Sequence, residues 1–129
     1  MKKISLLTKT AFHTYNIVLI LFYLYPGSIL GWLFYGNIQK QPQLTSDFVG
    51  FSSNHVYAFI FLSTLGLLSH YKDKINYLFL YLFFVSIFLE ICHSFIPQRS
   101  FEYRDLFGNF FGVFLIFIIF KFYKLYKKK

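Results

Sequence analysis

Four long apolar stretches, at roughly 8–25, 54–70, 75–96 and 105–123, occupy more than half of this chain of 129 residues. Each is about the 17–25 residues that an α-helix needs to cross a hydrocarbon core. Hydrophobic residues make up 57% of the chain and charged residues only 14%, which is more apolar surface than one small soluble core can hide. The runs are continuous rather than alternating, and an open sheet would leave backbone groups unpaired in lipid. The expected fold is therefore all-α: an integral membrane protein with four transmembrane helices, forming a single domain over 1–129.

The basic residues set the expected orientation, because Lys and Arg in short loops gather on the cytoplasmic side. Lys2, Lys3, Lys9, Lys72, Lys74, Lys121, Lys124, Lys127, Lys128 and Lys129 fall on one side of a four-span arrangement, and Lys40, Arg99 and Arg104 on the other. That split puts both termini in the cytoplasm and the chain in the cytoplasmic (inner) membrane as a multi-pass protein. The formal charge of +8 sits mostly on the inner flanks, against anionic headgroups. Nucleic acid is not an expected partner, since these residues flank apolar spans and form no groove or motif. Lys2 and Lys3 precede an apolar run as in a signal peptide, but no small-x-small cleavage site follows Tyr25, so the first span is read as uncleaved. Cys92 is the single cysteine and excludes an intramolecular disulfide.

Pro26-Gly27 is a helix-ending pair. The apolar segment SILGWLFYG that follows is too short to cross and carries Trp32 and Tyr35, residues suited to the headgroup boundary. It is expected to be interfacial or re-entrant in the outer leaflet. The polar run NIQKQPQLTSDFVGFSS then forms the longest outer loop, and HYKDK a short inner turn.

Against this apolar background the run EICHSFIPQRSFEYRDLFGN packs Glu90, His93, Arg99, Ser100, Glu102, Arg104, Asp105 and Asn109 into twenty positions. Glu90 and His93 are three apart and share a helix face, while Asp105, Asn109, Gly112 and Ile116 follow one stripe of the last span. Counting inward from Pro97 and Asp105 at 1.5 Å per residue puts Glu90 opposite Gly112, roughly 10 Å deep, and His93 level with Asn109. A buried charge at that depth costs about 2.5–3.5 kcal/mol and needs a partner. Arg99, Arg104 and His93 are within reach. Two arginines with adjacent acids suggest an anion site held by its own counter-charges; the blander account is interhelical hydrogen-bond glue. Gly108 and Gly112 form GNFFG, a small-xxx-small pattern read as close packing within the monomer rather than a dimer face. His55, at the start of span two, belongs to the same outer side. His13 and His70 receive no role. No cofactor is expected and no metal, because Glu90 with His93 supplies two ligands where a catalytic zinc takes three.

These residues resemble the VanZ-like family of small polytopic membrane proteins. The pattern Glu90-x-x-His93-x-x-Ile96-Pro97-x-Arg99-Ser100-Phe101-Glu102-x-x-Asp105-x-x-x-Asn109-x-x-Gly112 is similar to that family's Glu-x-x-Gln, proline, Arg-Ser-Phe, acid, Asp, Asn and Gly. The likeness extends to YPGS after span one and to the start of span two. His93 stands where the family usually has glutamine. The family's second span typically opens Asp-Lys-x-x-His, and Asn54-His55-Val56-Tyr57-Ala58 departs from all three residues in the corresponding register, with His55 a candidate replacement. The resemblance implies an envelope membrane protein; the family's namesake is associated with glycopeptide resistance, particularly to teicoplanin.

Three readings follow. In the first the protein binds or handles an anionic lipid, such as a prenyl-linked cell-wall intermediate; Arg99 and Arg104 hold the headgroup, Glu90 and Asp105 orient them, and Asn109 supports the site. In the second Glu90 and His93 are an acid/base pair acting on a lipid phosphate. In the third the cluster only fixes a helix hairpin or docks a membrane-protein partner or a second copy.

Overall fold

A computed structural model describes residues 2–70 and 74–127, with side chains from Leu6 onward. The expected inner turn at 70–74 lies largely outside the described residues, as do Lys72, Lys128, Lys129 and the side chains of Lys2 and Lys3. The chain is all-helical: α1 is Lys2–Leu24, α2 Ile29–Tyr35, α3 Ser53–His70, α4 Ile75–Cys92 and α5 Tyr103–Tyr126, with one 3₁₀ turn, His93–Phe95, continuing α4. Among the described residues there is no strand, only an isolated bridge between Phe48 and Phe51 that closes a turn.

Two segments, Ile75–Phe95 and Tyr103–Tyr126, are long and apolar enough to cross a membrane. A third joins them if Leu6–Leu24 and Ile29–Tyr35, bent by 84° at their junction, count as one broken span. The bend falls at Pro26-Gly27, where Gly27 takes φ 90°. α2 restarts from Ser28, whose hydroxyl accepts the Gly31 N–H at 2.9 Å and so caps the helix.

α3 is not in that apolar set, and its environment explains why. It packs against α1, α4 and α5, and its polar residues Ser53, His55, Ser63 and Ser69 are buried inside the bundle. Phe59 and Leu62, fully buried, put the middle of α3 at the centre of a core that also holds Phe12, Leu19, Phe79, Leu82, Val113 and Phe120. Bulky apolar side chains cover the outside instead: Leu21, Phe61, Phe84, Phe88, Ile119 and Phe122 are all exposed. Such a surface is far more apolar than water-facing proteins present.

The closest helix approach is between α3 and α5, which corrects the expected register. A Cβ on Gly112 would meet the Val56 carbonyl oxygen at 2.7 Å and Phe59 Cβ at 2.8 Å, and one on Gly108 the Ser52 carbonyl oxygen at 2.8 Å. The glycine stripe of α5 therefore faces α3. Glu90 on α4 does not have Gly112 as its opposite. The count from helix ends fixed depth but carried no information on rotation about the helix axis, and α3 occupies the groove that was assigned to α4.

The loop 37–52 is strapped over the start of α3. The Asn54 side chain donates to the Pro42 carbonyl at 2.6 Å and accepts the Leu44 N–H at 3.1 Å. Asp47 Oδ1 accepts the Ser53 N–H at 3.0 Å, placing a carboxylate at the positive end of the helix dipole. Ser52 N–H donates to the Arg104 carbonyl at 3.1 Å, which ties this loop to the start of α5.

Candidate functional site

Four helices end or begin at the same end of the bundle and bring their polar residues into one buried cluster. From α4 come Glu90, 0% exposed, and from the 3₁₀ turn His93, 2% exposed. His93 Nε2 lies 3.1 Å from the Tyr23 carbonyl oxygen; a carbonyl only accepts, so this nitrogen carries the proton. His93 Nδ1 is 3.2 Å from Glu90 Oε2 without a hydrogen bond between them, and that oxygen has no hydrogen-bond partner among the described residues. Glu90 Oε1 accepts the Glu102 N–H at 3.0 Å.

From α3 and α5 come His55 and Asp105. His55 Nδ1 is 2.8 Å from Ser52 Oγ and 3.4 Å from Asp105 Oδ1. Asn109 is fully buried; its Oδ1 accepts from the Tyr23 hydroxyl at 2.7 Å and its Nδ2 donates to the Ser86 carbonyl at 3.2 Å. Those two partners settle which way the amide points. Tyr23 is thus the hub: its ring stacks on His93 at 5.5 Å and meets His55 edge-on at 5.4 Å.

The arginines part company, against the expectation that both ring one site and pair with Glu90 and Asp105. Arg99 Nη2 donates to the Phe22 carbonyl at 2.9 Å and Nε to that of Tyr25 at 3.3 Å, so it caps the negative end of α1. Partial burial draws its guanidinium below the ordinary range, and it stays charged at any physiological pH. Arg104, 55% exposed, reaches Asp47 at 3.7 Å instead and lines neither of the cavities below. The acids turn to histidines: Glu90 to His93 and Asp105 to His55. Ser100 and Glu102 are exposed and joined by a 3.4 Å hydrogen bond at the rim.

Two cavities adjoin the cluster. One, about 410 Å³, is polar and lined by Gly27, Ser28, Gln98, Arg99, Ser100, Glu102 and Asp105 among others. The second, about 480 Å³, is mostly apolar and runs between α1, α2 and α3, with Val18, Phe22, Leu30, Phe34 and Phe61 on its walls. Ser28, Gln41, His93 and Arg99 line both.

His55, Glu90 and Asp105 offer ligand atoms that all lie within 4.8 Å of one another, a three-ligand group that spacing along the chain did not assemble. Tyr23, Ser52 and Gln41 were also missed. Tyr23 is one of eleven tyrosines, and no local pattern separates it from the rest; Ser28, by contrast, belongs to the YPGS likeness. Comparison with protein-family models, with curated proteins and with solved structures found no match for this chain.

Proposed function

We propose that the protein is a VanZ-like, four-span protein of the cytoplasmic membrane, with both termini inside, that binds a lipid carrying an anionic, hydroxyl-bearing headgroup. The observation that carries the reading is the pair of adjoining cavities, one polar and one apolar, with Arg99 and His93 on the wall between them. An amphiphile has that division. Arg99 would meet the phosphate or other anion of the headgroup, while Glu102 and Asp105, acids in the same polar cavity, accept from hydroxyls as a sugar or polyol supplies them. The apolar cavity takes the proximal part of the chain.

Support for four spans comes from α3: Ser53, His55, Ser63 and Ser69 are buried in the bundle and Thr64 bonds the Ile60 carbonyl of its own helix, so these groups lower its mean hydropathy without standing unpaired in lipid. α2, capped at Ser28 and bearing exposed Trp32, Leu33 and Phe34, suits the boundary of the same leaflet. The ten-to-three division of basic residues supports the orientation.

Native mass spectrometry of the gently solubilised protein tests the reading, with Arg99→Gln beside it and Arg104→Ala as control. A lipid adduct in wild type and in Arg104→Ala but missing from Arg99→Gln is the expected result. Lipid-free spectra for all three, with Arg99→Gln merely less stable, would overturn the proposal and leave the cluster a structural device.

A further inference from the structure

The two carboxylates Glu90 and Asp105 converge on His55 inside the bundle, with His93 beside Glu90 and, among the described residues, no arginine or lysine in ion-pair contact with either. Arg99 is turned towards the carbonyls of Phe22 and Tyr25 and Arg104 towards Asp47. Glu90 is 0% exposed, and its Oε2 has no hydrogen-bond partner among the described residues. An orphaned carboxylate oxygen in a protein interior costs several times what a satisfied one does. A cation at this point would remove that deficit.

We infer that His55, Glu90 and Asp105 bind one divalent transition-metal ion of the zinc class. The donor set, one imidazole nitrogen and two carboxylate oxygens, is one that zinc accepts, leaving a fourth position open. Zinc–ligand bonds of about 2.0–2.2 Å set neighbouring ligand atoms roughly 3.3–3.5 Å apart on a tetrahedron. The 3.4 Å between His55 Nδ1 and Asp105 Oδ1 matches that edge, and the three ligand atoms stay within 4.8 Å, so the set must contract on the ion to complete it. A group that would orient one ligand is already present. The Glu102 N–H holds Glu90 Oε1, while Ser52 Oγ, 2.8 Å from His55 Nδ1, bonds the nitrogen that the ion would take and has to release it on binding. Asp105, with 19% of its side chain exposed, lines the polar cavity and provides the way in.

The ion has a consequence for that cavity. Its two positive charges cancel the two carboxylates, and the Arg99 guanidinium is then uncompensated beside an open metal position. Metal and arginine together make an anion-binding pair, which the side chains alone do not. The metal site does not rest on the lipid reading, because metal uptake is measured with no lipid added and either can fail alone.

The test uses the intact chain in mild detergent, stripped with a chelator and titrated with Zn²⁺, with elemental analysis of the product and Co²⁺ as a spectroscopic substitute. Expected are about one Zn²⁺ per chain, a rise in melting temperature on loading, and the intense visible bands of four-coordinate Co²⁺. Asp105→Asn and His55→Gln should each weaken binding by more than about a hundredfold, since changes to supporting residues alone cost about 10–100-fold. His70→Gln, at the far end of α3, should retain it. Binding lost in His70→Gln but kept in His55→Gln would overturn the inference by locating the ion elsewhere. So would stripped wild type that takes up neither Zn²⁺ nor Co²⁺, an outcome that needs no variant to fold.

Discussion

Gly112→Ala probes the contact on which the whole arrangement of the polar cluster turns. An added Cβ would stand 2.7 Å from the Val56 carbonyl oxygen, 2.8 Å from Phe59 Cβ and 3.0 Å from the Ile60 nitrogen. Two of those atoms are backbone and the third is the root of a fully buried side chain, so no flexible chain end can swing aside. Restoring ordinary contact at about 3.4 Å asks α3 and α5 to separate by roughly 0.7 Å along their shared face. Overpacking of this kind costs about 1–3 kcal/mol, while replacing glycine by alanine inside a helix returns about 0.8–1 kcal/mol. The two terms leave a net loss of up to about 2 kcal/mol, with Gly112→Val, which adds bulk without alanine's helix propensity, clearly worse. Denaturant titration of the detergent-solubilised protein reads this directly, followed by helicity. If Gly112→Ala proves more stable than wild type, and Gly112→Val equal to it, the α3–α5 contact described above is wrong.

Tyr23→Phe should lower stability by roughly 0.6–2 kcal/mol, because it strands Asn109 Oδ1 in the bundle; an unchanged melting temperature would mean that this oxygen finds another donor. Asp47 lies in the loop before α3, and the Ser53 N–H that it accepts holds its carboxyl below the ordinary 3.8. A depressed carboxylate stabilises the fold above its unfolded value and loses that contribution as pH falls through the folded one. The stability difference between wild type and Asp47→Asn should therefore be constant above about pH 5 and shrink below about pH 4, as melting curves across that range would show; a difference independent of pH would remove Asp47 from the helix start.

Much of the linear organisation was readable from residue order. Spans expected at 8–25, 54–70, 75–96 and 105–123 meet helices Lys2–Leu24, Ser53–His70, Ile75–Cys92 with its 3₁₀ turn, and Tyr103–Tyr126. The short apolar segment after Pro26-Gly27 contains α2. Residues of the polar run do gather with His55, yet their partners were not readable. Glu90 and Asp105 were assigned to Arg99 and Arg104, and each instead faces a histidine. Arg104 is two residues past Glu102 and one before Asp105, but on a helix those neighbours point in different directions, and Arg104 leaves the cluster for Asp47.

The reason for the division is physical. Helix length, the stop at Pro26-Gly27 and the restart at Ser28 depend on apolar run length and on backbone hydrogen bonds closed within a few residues, so they are present in any short window of the chain. Which face of α5 meets α3, and hence whether Glu90 looks at a glycine or at the His55–Asp105 pair, depends on the simultaneous packing of α1, α3, α4 and α5. No single helix carries that information. Tyr23, from α1, joins a cluster built around residues 32 to 86 positions away because the bundle closes around α3, and the chemistry of the site exists only once it has closed.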